Sequence, residues 1–284
     1  MAKTFFFHGH AVGLGGVITY PFQRLLDSKA AATLPISGGA SSNSSSSHVF
    51  PDPTDPALAG QPKVVSIKSA DTELSGQLDT NTGVYRTTVT TTVTGLNVRD
   101  IVTADTVVAN IVSEHYPGED EPRITFAGSK IDNLRINGTA VAVEMNDVLF
   151  GDLNSFTRFK DRFDSDSNFH TLMRRQFLWG DLQPNEIPSF LADQYKFTSA
   201  QKSVPESKGI VPCSAVKNVN IKGSGGFQMF RHILVIPDFG ALFLGELLLE
   251  RQARRLTMMR FELGSPVAGS ITVAGGQGNG TTFP

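Results

Sequence analysis

The sequence predicts a mainly β protein, either a β-sandwich or a β-solenoid-like stack, with a helical insertion around residues 152–195. Three observations carry that expectation. Residues 85–94 read Tyr-Arg-Thr-Thr-Val-Thr-Thr-Thr-Val-Thr, a β-branched run whose stiff side chains suit a pleated surface and crowd a helix. The 284 residues include 24 Thr, 24 Ser, 27 Gly and 15 Pro, a composition that favours strands and the turns between them. Helical periodicity is persuasive in one place only, where Phe156, Phe159 and Phe163 recur at i, i+3 and i+7, followed by Phe169, Leu172, Met173 and Phe177.

Each element follows in order. Residues 1–36 form an N-terminal strand segment, in which His8, His10 and Val12 share one face and Phe7, Gly9 and Ala11 the other. Met1-Ala2-Lys3 and the three phenylalanines after it faintly resemble a secretion signal, but His8, Gly9 and His10 break the apolar run. Residues 37–62, rich in Ser and Pro, carry too little apolar side chain to order by burial and read as a flexible loop or linker. A β region covers 63–150, a helical insertion 151–197, and a C-terminal β region 198–284 belongs to the same domain as 63–150. In that last region 241–249 reads as a strand or a buried helix, because a short apolar run does not separate the two. Residues 264–284 are Gly-rich, with one strand at 270–274. Leu96-Asn97-Val98, Asn133 to Gly138 and Asn218 to Gly223 share an apolar-polar-apolar core beside Asn or Gly, which places strands of one kind in one sheet or stack.

Composition excludes several classes. Lys and Arg number 25 against 27 Asp and Glu, so there is no nucleic-acid footprint. Cys213 is the only cysteine, which rules out an internal disulfide and a Cys-rich zinc module. No apolar run approaches the ~20 residues of a membrane helix, and no cofactor is expected. No Gly-x-Ser-x-Gly elbow, phosphate-binding loop or His-Glu-x-x-His helix occurs, so the chain reads as a non-enzyme.

Three stretches carry a family resemblance. They are Ala11 to Ile18 with the later Leu34-Pro35, Val93 to Ala109 followed by Gly128 to Gly138, and His232 to Gly269. Together they resemble bacterial choice-of-anchor P type surface proteins and allied β-rich bacterial proteins. That resemblance implies a β-rich protein at the cell surface or outside the cell, with no established chemistry. The N-terminus, lacking a clear signal peptide, implies the cytoplasm instead.

Candidate chemistry is sparse. His8 and His10 would point the same way from a strand and could hold one metal with a third ligand, as in a metal-dependent hydrolase. Asp164, Asp166 and Asn168 have the opening of a calcium loop, although Phe169 and Arg175 stand where an EF-hand needs Gly and Glu. Arg251, Arg254, Arg255 and Arg260 concentrate positive charge and read as a solvated turn that blunts an edge strand. The threonine run offers hydroxyls to a carbohydrate, although exposed strand threonine is the ordinary reading.

The functional expectation is a structural protein that self-assembles with copies of itself into a homo-oligomer or filament. Phe5, Phe6, Phe7, Val12, Leu14, Val17 and Ile18 are the expected assembly surface, since an apolar strand near a chain end is a natural donor for edge pairing. The alternative for the same strand is docking within its own chain. A glycan or cell-surface ligand binding module is the rival function, with Trp179 as its reporter.

Overall fold

Long β-branched and Gly-rich segments pair here into two antiparallel sheets. The computed structural model describes residues 4–169, 189, 210–223 and 226–283. The chain opens on β1 (Thr4–Tyr20) and folds back through β2 (Arg24–Lys29) and β3 (Ala32–Thr33). Next come β4 (Gly39–Ser45), β5 (His48–Phe50) and a single 3-10 turn at Pro56–Leu58. β6 (Val65–Ile67) and β7 (Ser69–Asp79) lead into the hairpin of β8 (Val84–Val98) and β9 (Val102–His115). The short strands β10 (Arg123–Thr125), β11 (Lys130–Asp132) and β12 (Arg135–Ile136) precede β13 (Thr139–Met145). Helices α1 (Asp147–Asp152) and α2 (Phe156–Ser165) follow. The C-terminal part holds β14 (Ile210–Ser214), β15 (Val216–Ile221), β16 (Gln228–Phe230) and β17 (Ile233–Ile236). It ends with β18 (Gly240–Glu250), β19 (Ala253–Leu263) and β20 (Ala268–Phe283).

The first sheet runs β16-β17-β18-β19-β20-β1-β2, with β14 also on β18 and β3 on β1. The second runs β15-β13-β12-β9-β8-β6-β5, with β7 beside β8, β4 beside β7, and β10 and β11 on β9. The pairings are antiparallel, as in β1–β20, β8–β9 and β18–β19. This is a sandwich rather than a solenoid, whose successive coils would stack parallel strands. Strands β1, β20 and β19 face β7, β8 and β9, and their inward side chains merge into one core. The three Asn-containing echoes do fall in one sheet, on β8, β12 and β15. Asn137 and Gly138, both with positive φ, make the two-residue turn between β12 and β13, where Asn-Gly meets the twist of a hairpin.

The seam between the sheets explains the glycines. A Cβ on Gly276 would lie 3.1 Å from Val89, and one on Gly278 would lie 3.2 Å from Ile111. On β1, a Cβ on Gly13 would come within 2.7 Å of the Ala70 methyl. Bare backbone on β1 and β20 therefore lets the valines and isoleucines of β8 and β9 approach closely. The approach is close enough for side chains to bond across it. Thr87 donates to the Asn279 carbonyl and Thr91 to the Gly275 carbonyl, each at 3.2 Å. The threonine run thus divides by face: Thr87 and Thr91 are buried with Val89 and Val93, while Thr88, Thr90, Thr92 and Thr94 are half-exposed on the outside.

Several expectations are corrected. Residues 37–62 are not simply a loop or linker, because β4 and β5 lie within them. β4 is held by backbone pairing with β7, from Gly39↔Gly76 to Ser45↔Ala70, so its small polar side chains need not be buried. The Gly-rich tail is a 16-residue strand at the centre of its sheet. Of the two readings offered for 241–249, the strand is the one realised, over Gly240–Glu250. The arginine concentration does not blunt an edge, because β19 lies between β18 and β20. The helical insertion is represented by α1 and α2. Ser155 caps α2 by accepting from the Arg158 N–H at 3.2 Å, and Phe159 and Phe163 turn inward. The expected helical positions Leu172, Met173 and Phe177, like Trp179, lie outside the described residues.

Candidate functional site

The described residues singled out in the sequence lie apart from one another: His8 and His10 on β1, Asp164 to Asn168 at the end of α2. Among the described residues no group of three His, Cys, Asp or Glu side chains could hold a metal ion. His8 and His10 do project together from the outer face of β1, both exposed, but their cross-strand neighbours on β20 are Asn279 and Gln277. Neither neighbour adds an imidazole, thiolate or carboxylate to the two histidines. The Asp164 to Asn168 segment is occupied by helix chemistry. Asp164 pairs with Lys160 at 2.6 Å, and Asp166 accepts from the N–H groups of Asn168 and Phe169, each at 3.0 Å. Asn168 supplies only a backbone donor there. The carboxylate of Asp166 is held below its ordinary range by those bonds, the one from Phe169 foremost.

The expected assembly side chains on β1 meet a different fate. Phe5, Phe7, Leu14 and Ile18 are buried in the core, while Phe6, Val12 and Val17 are half-buried on the outer face. β1 pairs with β20 on one side and with β2 and β3 on the other, so its backbone is already taken by its own chain. Intramolecular docking is the reading this geometry realises. The ring of Phe5 stacks on Tyr85 at 4.1 Å and meets Phe7 edge-on at 4.8 Å.

Buried polar groups follow structural needs. Cys213 is buried on β14, and burial pushes its thiol pKa far up, which makes it a poor nucleophile. Arg260 grips the Glu246 carboxylate with two bonds at 2.5 and 2.7 Å, reaches Glu262, and lies over the Phe243 ring. Glu121 accepts from the Thr157 N–H at 2.9 Å, the Thr157 hydroxyl at 2.7 Å and Arg251 at 2.9 Å, tying α2 to the β18–β19 turn.

His232, between β16 and β17, is 4% exposed, and burial lowers its pKa from 6.5 to about 4. The native imidazole therefore stays neutral where the unfolded one protonates. Between those two values the unfolded state binds more protons, so stability rises with pH through the window and is lost as pH falls through it. The loss approaches about 3 kcal/mol. Urea titrations at pH 7 and pH 4.5 should show it, and His232→Gln should flatten the dependence. An unchanged pH dependence in that variant would refute the assignment. Burial also lowers His48 and His115, so part of the acid sensitivity will persist.

The sheet edges are the remaining candidate surface, and they differ sharply. β2 carries Arg24, Asp27 and Lys29 and meets β1 across a bulge. β16 is three residues long, and β15 carries Lys217 and joins β13 through a register shift. Charge, bulging and shortness are the usual devices that stop edges from pairing with other chains. β4 has none of them. Its seven residues keep an unbroken register with β7, and among the described residues β7 is its only strand partner. From Gly39 to Phe50 the chain contains no Lys, Arg, Asp, Glu or Pro. The sequence signal was present as a serine-rich run, but its composition read as disorder.

No curated protein and no solved structure matches this chain. Nothing among the matches links it to choice-of-anchor P proteins, so that resemblance rests on its residues alone. A family model described as Domain of unknown function (DUF8256) matches residues 5–250, from the start of β1 to the end of β18. The match covers most of both sheets, and the chain belongs to this family.

Proposed function

We propose that the protein is a structural β-sandwich that self-assembles by pairing the β4 edge of one copy with the β4 edge of another. The observation that supports it is the unguarded, uncharged edge from Gly39 to Ser45. Antiparallel pairing about a two-fold axis would continue the second sheet across two copies. The edge is self-complementary in the plainest sense, because serine and asparagine facing their own kind incur no like-charge penalty. Backbone N–H and C=O groups supply the bonds, as in other strand-addition contacts. The assembly surface expected on β1 is thus replaced by a surface on the opposite sheet.

Light scattering after size-exclusion at tens of micromolar protein tests the reading. The full chain should run as a dimer or larger. Ser42 and Ser44 are exposed, so a Ser42→Lys, Ser44→Lys double variant should keep its circular dichroism and run as a monomer. A monomeric full chain, or a variant that assembles unchanged, would overturn the proposal.

A further inference from the structure

The outer face of the first sheet carries a groove of about 400 Å³. Strand register builds it. Leu248, Arg255, Gln277 and His10 follow one another across β18, β19, β20 and β1. One step along the strands, Thr257, Gly275 and Val12 form the next row. Alternation along β20 explains the orientation. Gly276 and Gly278 face the other sheet, so Gln277 faces out. The floor of the groove lies at Gly275, where a Cβ would meet nothing nearer than 3.7 Å. The strand there has no side chain, and the flanking rows rise as walls.

Charge in the groove is unbalanced. Arg260, at its far wall, is paired with Glu246. Arg255 is exposed and, among the described residues, has no ion-pair or hydrogen-bond partner. The side chains of His10, exposed, and of Gln277 and Thr257, half-buried, likewise have no partner among the described residues. One unneutralised guanidinium is thus surrounded by groups able to donate to or accept from hydroxyls, next to the apolar surfaces of Leu248 and Val12. A guanidinium fork matches a carboxylate, amide and hydroxyl side chains match sugar hydroxyls, and the volume falls within the range of small-molecule sites.

We infer that this groove binds a carboxylated sugar, with Arg255 taking the carboxylate and Gln277, Thr257 and His10 the ring hydroxyls. The inference is independent of assembly at β4, which lies on the other sheet. Titration of the full chain with D-glucuronate, followed by calorimetry or ligand-observed NMR, tests it, with D-glucose and inorganic phosphate as separate arms. Glucuronate should bind saturably, and glucose and phosphate should bind on the order of tenfold more weakly or not at all. Arg255→Gln changes an exposed side chain and should weaken glucuronate on the order of tenfold, with circular dichroism unchanged. Gly275→Leu, which fills the floor, should abolish binding. Absence of glucuronate binding, equal binding of glucose or phosphate, or undiminished binding by Arg255→Gln in a folded protein would each overturn the assignment.

Discussion

A chain lacking residues 1–20 is expected not to fold. β1 sits between β20 and β2 in its sheet, paired with β20 from Thr4↔Phe283 to Tyr20↔Ala268. Deletion strips a central strand and leaves β20 with an open edge along its length. It also removes Phe5, Phe7, Leu14 and Ile18, all at most 7% exposed, from the shared core. At roughly 1.5–3 kcal/mol for each side chain, those four alone contribute about 6–12 kcal/mol. That is comparable with the whole stability of a typical domain, about 5–15 kcal/mol. The unpaired backbone of β20 adds to the loss, because buried N–H and C=O groups without partners are costly. Far-UV circular dichroism and sedimentation velocity of the truncated chain are the measurements. A truncated protein with native β signal and a cooperative melt would show that β1 is dispensable, and with it the sheet order described above would fail. The contrast with an assembly strand is direct, since removing a strand donated to a neighbour would leave a folded monomer.

What was legible in the residues depended on whether side chains or backbone held each element. Tyr85 to Thr94 announced β8 because a run of β-branched side chains crowds a helix and suits a pleated surface, although threonine on both faces hid which side turns inward. The alternation of His8, His10 and Val12 against Phe7, Gly9 and Ala11 was legible because period two is visible in sequence. β20 was legible only at its start. From Gly276 to Gly280 its inward positions are glycines, set by the closeness of Val89, Ile111 and Phe5, residues far away in the chain. Local propensity points away from a strand there, and tertiary packing overrides it. β4 failed for a related reason, since a serine run paired through its backbone to β7 has no side-chain periodicity to read. The candidate groove was hidden further still. His10, Gln277 and Arg255 are far apart in the chain, and only the registers β1–β20 and β19–β20 bring them into one row.

Replacing Arg254 by methionine is expected to destabilise the fold by about 2–6 kcal/mol, the sum for two carbonyls that lose their donor. The guanidinium is 2% exposed and spans the two sheets. Its Nη1 donates to the Ile124 carbonyl at 2.6 Å, on β10, and its Nη2 to the Leu153 carbonyl at 2.7 Å, between α1 and α2. Burial lowers its pKa to about 10, so it remains protonated at neutral pH. Two effects compete in the variant. Removing a buried charge recovers its desolvation cost, which is why whole ion pairs can sometimes be replaced by apolar side chains without loss. Here the partners are backbone carbonyls, which no side-chain substitution removes. They are left without their donor, and that penalty decides the sign. Lysine in the same place keeps a charge but cannot reach two carbonyls with a planar fork, so Arg254→Lys should recover only part of the loss. Urea unfolding of the three proteins gives the ranking directly. The connection between α1 and α2, anchored through Leu153, should lose hydrogen-exchange protection before the β8–β9 hairpin does, since the hairpin does not depend on this contact. A methionine variant within 0.5 kcal/mol of the parent, the range of an ordinary surface substitution, would mean that the arginine bridges the sheets without holding them.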